Sequence, residues 1–208
     1  MLAFKKGNNR GDTLIEVLFA ITIFSSVAVA SIVIMNQGVT VAQRALEITL
    51  VRQEIDSQAE TLRYLNAAYI SAYQSTATAG SYTGPAAQWK SIRDNNLVTT
   101  ISAFGSSPTC GTPQARSFIL NTNNVTPVSL NGATYAVPST FSQVRYNAAG
   151  AFTSADGIWI EAIHSVASID TFQSDAGYID FHIRACWTSA GQSAPLTIGT
   201  IVRLYEPI

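Results

Sequence analysis

The first residues able to do chemistry together are a glycine, an acid beside it and a second acid four residues on: Gly11, Asp12 and Glu16 in "RGDTLIEVLFAITIFSSVAVASIVIM". No charge follows from Val17 to Met35, so Glu16 heads an oily run. A carboxylate in hydrocarbon costs roughly 2.5 to 3.5 kcal/mol at mid-span and less near an end. Its chemistry is therefore electrostatic, the capture of a cationic partner. The two cysteines, Cys110 and Cys186, can form one disulfide or stay as two buried thiols. His164 in "EAIHSV" and His182 in "DFHIRA" each sit alone in a strand-like run and read as structural; no nucleophile elbow accompanies the serines. Asp170, Asp175 and Asp180 around "TFQSDAGY" lack the spacing of a calcium loop and read as solvated turn acids. There is no glycine-rich phosphate loop and no zinc spacing. No catalytic residue, cofactor or metal is expected. Asn124, Val125 and Thr126 match a glycosylation sequon, a motif common by chance.

The elements that must position these residues begin with a span. From Val17 to Met35 a helix rising ~1.5 Å per residue reaches roughly 28 Å, about the hydrocarbon thickness of a bilayer. The pattern continues past "VASIVIMNQG" as a helix, so cleavage on the far side, as in a secretory signal, is not expected. Before the span lie Lys5, Lys6 and Arg10 with no acid, the asymmetry that keeps an N-terminus in the cytoplasm and sends the rest outward. Of the 208 residues 47% are apolar and 12% charged, about half the charge of an ordinary soluble domain. The net charge is -1. Residues 75–208 balance Lys90, Arg93, Arg116, Arg145, Arg184 and Arg203 against seven acids, so no nucleic-acid partner is expected.

Four stretches follow: residues 1–11, a basic leader; 12–37, a transmembrane helix; 38–74, an amphipathic helix; and 75–208, an outer β-rich domain. In the third, Ile48, Val51, Ile55, Ala59, Leu62, Leu65, Tyr69 and Ala72 recur at helical steps and predict a stripe lying on this chain's own sheet, with a coiled-coil seam as the alternative. Asn36, Gln37 and Gly38 predict a bend or melted turn. "QSTATAGSYTGPAAQ" reads as a loop. Runs beginning at Leu97, Arg116, Thr134, Ser142, Ile158, Tyr178 and Leu196 read as strands of an antiparallel sheet with hairpin connections. The fold class is α+β, one long helix packed on that sheet.

"GDTLIEVLFAITIFS" resembles the processing and assembly segment of type IV pilins and pseudopilins: a basic leader, a glycine, then an apolar helix with glutamate as its fifth mature residue. The resemblance covers about the first 35 residues. It implies cleavage by a prepilin peptidase between Gly11 and Asp12, N-methylation of the new Asp12 amine, and pairing of Glu16 with the amine of a neighbouring copy. Family members commonly begin with an apolar residue, where this chain has Asp12. Pilins often carry a disulfide near the C-terminus, and an extracytoplasmic location favours an oxidised Cys110–Cys186 pair. The implied partners are other copies or related pilins, the peptidase, the membrane before assembly, and an inner-membrane platform with a cytoplasmic ATPase. The implied location is the cytoplasmic membrane, N-terminus inside, and then a cell-surface filament.

Three functions follow in order. The first is a structural subunit, major or minor, of a type IV pilus or related filament. The second is a pseudopilin of a type II secretion or DNA-uptake system. The third is a singly anchored surface enzyme or sensor, for which the Gly11 and Glu16 arrangement would be coincidence.

Overall fold

The computed structural model describes residues 12–76, 81–102, 109–165 and 177–207. Two helices, α1 (Asp12–Thr76) and α2 (Gly84–Asn95), accompany nine strands: β1 (Leu97–Val98), β2 (Phe118–Asn121), β3 (Thr126–Ser129), β4 (Tyr135–Ala136), β5 (Gln143–Tyr146), β6 (Phe152–Asp156), β7 (Ile158–Ser165), β8 (Tyr178–Trp187) and β9 (Leu196–Tyr205). The chain forms two compact units, residues 1–43 and 44–208.

In the first unit α1 is exposed on every side, as a run apolar all round requires when its own chain does not cover it. The hydroxyls of Thr22, Ser26, Ser31 and Thr40 donate to carbonyls three or four residues back, so none needs water as a partner. Helical pairing runs through Asn36, Gln37 and Gly38, and the melted turn expected there does not occur. A glycine mid-helix costs roughly 1 kcal/mol, and the uninterrupted turns on both sides outweigh it.

In the second unit α1 buries the predicted stripe. Val51, Ile55, Ala59, Leu62, Leu65 and Tyr69 lie in one core with Phe118, Ile160, Phe181 and Ile183 of the sheet. The stripe thus covers this chain's own sheet. The strand order is β3-β2-β7-β8-β9, with β1 parallel beside β7. β7 and β8 pair from Ile158↔Ala185 to Ser165↔Tyr178, and β8 and β9 from Tyr178↔Tyr205 to Trp187↔Leu196, without a register shift. A second sheet, β4-β6-β5, includes a parallel β4–β6 pair. The larger sheet is antiparallel apart from β1, but hairpins alone do not make it.

Three polar residues of α1 tie it to this larger sheet, the first being Glu47, which accepts from Trp187 Nε1 at 3.0 Å. Gln58 accepts from the Leu120 amide at 2.9 Å and donates to the Leu120 carbonyl at 3.0 Å, completing β2 where β7, paired only at Phe118↔Ile160, no longer reaches. Asn66 donates to the Tyr205 carbonyl at 3.2 Å. An unpaired buried peptide group costs about 1 to 3 kcal/mol, so Gln58 is a structural residue and not a surface amide.

The helix α2 falls partly in the stretch expected to be a loop. Pro85, which ends one helix pattern, starts the next: at the first helical turn its missing N–H is no loss and its fixed φ is suitable. Ala86, Trp89 and Ile92 are the buried stripe. β3 and β6 were not expected either. β3 contains Pro127 and survives as an edge strand, where one N–H can be dispensed with.

Candidate functional site

The N-terminal site is a segment of helix. Glu16 lies on it four residues past Asp12, whose backbone is helical, and its side chain is exposed. Gly11, the leader and its three cations lie outside the described residues. Around and beyond Glu16 the large apolar side chains are open, with Phe24 at 75% and Met35 at 73% exposure. Each such side chain gains about 1.5 to 3 kcal/mol on leaving water, so this surface favours an apolar surrounding. Among the described residues it is the one helix long and apolar enough to cross a membrane, as an anchor or a signal segment does.

The second site is the disulfide. Cys110 and Cys186 are bonded, with Cα atoms 5.6 Å apart and a sequence separation of 76. The bridge joins the segment after β1 to the end of β8. Around it the Cys186 amide donates to the Gly157 carbonyl at 2.8 Å, and the Ser142 hydroxyl lies 3.0 Å from both the Gly157 and Cys186 carbonyls. Gly157 has φ +64°, and a Cβ there would strike the Cys186 carbonyl and the Pro138 ring, so only glycine fits.

Ser102, a few residues after β1, meets a buried ion pair. Glu161 is fully buried; it accepts from the Ser102 amide at 3.0 Å, from the Ser102 hydroxyl and from Trp159 Nε1 at 3.2 Å, with Arg184 at 3.6 Å. Arg184 donates to the Ser102 carbonyl. A buried carboxylate is tolerable only with several donors and a counter-charge, and Glu161 has both. No sequence motif marks this cluster; the β-strand alternation that sets Trp159, Glu161 and Arg184 on one face could have shown it.

The histidines and acids are engaged in packing. His164 Nε2 lies 2.8 Å from Glu206, whose other oxygen meets Arg93 at 2.9 Å, while Arg93 donates to the Tyr69 hydroxyl at 3.0 Å. Burial, with Arg184 nearby, pushes His182 below the ordinary imidazole range. Asp180 forms a two-pronged pair with Arg203 at 2.8 and 2.7 Å, which holds its carboxyl below the usual range. Asp170 and Asp175 lie outside the described residues, and among the described residues no cluster of metal-binding side chains occurs. Burial beside Asp156 pushes the Tyr135 hydroxyl up to about 12, and that hydroxyl bonds the Gly111 carbonyl at 3.1 Å, next to the bridge. Asn124, exposed at the β2–β3 turn, takes a hydrogen bond from Thr126 at 2.6 Å.

Comparison with family models, with curated proteins and with solved structures finds no match to this chain. What stands is an architecture: a long apolar N-terminal helix, its second part packed on a disulfide-bridged antiparallel sheet.

Proposed function

We propose that this chain is a structural subunit of a type IV pilus or a related cell-surface filament. The observation that carries the reading is the uncovered apolar helix whose only charges from Asp12 to Gln43 are Asp12 and Glu16, with a glycine directly before Asp12. Cleavage after Gly11 removes Lys5, Lys6 and Arg10 and frees an amine at Asp12, positive at neutral pH because amino termini titrate near ~8. The amine of an incoming copy then meets Glu16 of its neighbour in a medium where pairing is strong, and two groups costly in lipid neutralise each other. The apolar surfaces of adjacent helices cover one another and the sheet domains face water. The disulfide supports an extracytoplasmic place for the sheet domain. Before assembly the chain sits in the cytoplasmic membrane, and a peptidase, a membrane platform and an ATPase act on it.

Mass spectrometry of sheared surface filaments tests this. The subunit is expected to begin at Asp12, and its abundance separates a major pilin from a minor pilin or a pseudopilin. Gly11→Ala leaves full-length chain in the membrane; Glu16→Ala permits cutting and lowers incorporation. Filaments built of uncut chains overturn the reading.

A further inference from the structure

The part of α1 that rests on the sheet leaves its other side exposed. Arg52, Asp56, Glu60 and Arg63 stand open to water there, at steps of three and four residues, while the stripe from Val51 to Tyr69 is buried. Leu46 and Tyr64, 60% and 54% exposed, add apolar surface to the same part of the helix. Glu60 and Arg63 pair with each other at 2.6 Å. Arg52 and Asp56 do not, and among the described residues neither is in an ion pair. The spacing alone does not forbid one, since Lys90 and Asp94, also four residues apart, pair on α2 at 2.6 Å. Arg52 and Asp56 are thus a cation and an anion, one turn apart, with no ionic partner among the described residues of their own chain.

Four residues also separate Asp12 from Glu16. In the filament proposed above, one copy's Asp12 amine lies beside a neighbour's Glu16, which displaces the two copies by four helical residues, about 6 Å. Identical copies related along a filament rise equally at every residue. The copy that offers its amine to Glu16 therefore brings its Arg52 level with Asp56 of the same neighbour. Adjacent helices lie about 8 to 10 Å apart, a gap that an arginine side chain reaches across. The same rise sets Asp56 level with the neighbour's Glu60, whose charge Arg63 already matches. Copies without the displacement would set arginine beside arginine and aspartate beside aspartate, which is unfavourable.

We infer that the exposed side of α1 around Arg52 and Asp56 is a docking surface for a second copy of this chain, joined by an ion pair from Arg52 of one copy to Asp56 of the next. The inference rests on the proposed filament, whose register at Glu16 it carries up the same helix. Charge complementarity and continuity with that contact select a second copy as the occupant. Each copy gives Arg52 to one neighbour and Asp56 to another, a head-to-tail contact that propagates with every copy pointing the same way, as a shared membrane requires. A single pair at the surface is weak, so its role is to fix the register and not to hold the filament together.

Exchange of charge between chains tests it, in cells whose only copies of this protein are the variants. Arg52→Glu sets two acids level and Asp56→Arg sets two arginines level, and each is expected to lower the yield of sheared filaments about five-fold. Expressed together, the two variants are expected to regain that loss. The new glutamate of one chain meets the new arginine of the other, and the unchanged Arg52 meets the unchanged Asp56. A pair closed within one chain gives no such rescue, because each variant chain keeps two like charges. Yields are taken per disulfide-bonded chain in the membrane, so a variant that folds less well does not count as one that assembles less well. A mixed yield no higher than that of either variant alone overturns the inference, and so do single variants that assemble like the wild type. Mass spectrometry of wild-type filaments separates this from the reading beneath it: subunits that begin at Asp12 leave that reading standing when the exchange fails, and uncut subunits overturn both.

Discussion

Residues 12–43 and residues 44–208 dispose of their apolar side chains in opposite ways. In the first unit Leu14, Phe19, Phe24 and Met35 are each more than half exposed, and in the second Val51, Leu62 and Leu65 are wholly buried, although all seven belong to α1. The backbone is the same helix; what differs is the angular spread of apolar residues around it. A run apolar on every side asks for a surrounding that is apolar on every side, which a lipid or a ring of helices supplies. A stripe with Arg52, Asp56 and Arg63 on the other faces asks for one covering surface, and the sheet is that surface.

The contrast is broken most forcefully through the bridge that only the second unit has. Replacing Cys110 and Cys186 by alanine is expected to cost about 4 kcal/mol, the closure entropy of a loop of this length. Denaturant unfolding of the full-length chain in detergent, followed by tryptophan fluorescence, measures it. Trp89, Trp159 and Trp187 all lie in the second unit, so the signal reports that unit alone. A loss under about 1 kcal/mol would mean that the bridge closes a loop already ordered in the unfolded chain.

A matched pair of truncations on α1 sharpens the comparison. Leu62→Ala removes a fully buried side chain and is expected to cost about 3 kcal/mol. Phe19→Ala, on a residue 66% exposed, is expected to leave the same unfolding curve within about 0.5 kcal/mol while weakening association between chains. If Phe19→Ala unfolds the sheet domain as readily as Leu62→Ala, the division of labour along the helix is wrong.

Much of this was legible because period and length speak early. The predicted stripe from Val51 to Tyr69 is the buried stripe, and the strands beginning near Ile158, Tyr178 and Leu196 pair as expected, because long alternating runs have few other ways to hide one face. The cysteine pairing came from counting to two. What stayed hidden was decided by contacts distant in sequence. Pro85 marks a helix start only if Trp89 has Tyr69 and Phe181 to pack on, and Pro127 marks a strand only because β3 is an edge. Gln58 reads as a surface amide until Leu120, 62 residues away, presents its peptide groups. At the N-terminal site the spacing of Gly11, Asp12 and Glu16 was plain in the sequence, because that site is local.

The smallest expected effect lies in the pH dependence of the sheet domain. Burial holds His182 below the ordinary imidazole range, and Arg184 beside it acts the same way, while Asp180 and Glu161 pull in the other direction. The unfolded chain therefore takes up a proton at His182 before the folded chain does. Stability from the neutral ring is complete above the unfolded value, near ~6.5, and is lost as the pH falls from there through the folded value. Asp180, held low by Arg203, begins to lose its contribution only in more acid solution, as the pH falls below the unfolded aspartate value near ~3.9. Unfolding measured from pH 7.5 down to about 5 should thus show a shallow decline that His182→Gln flattens, with the Asp180–Arg203 pair intact throughout that window. A decline of equal slope in His182→Gln would overturn the assignment of this dependence to His182.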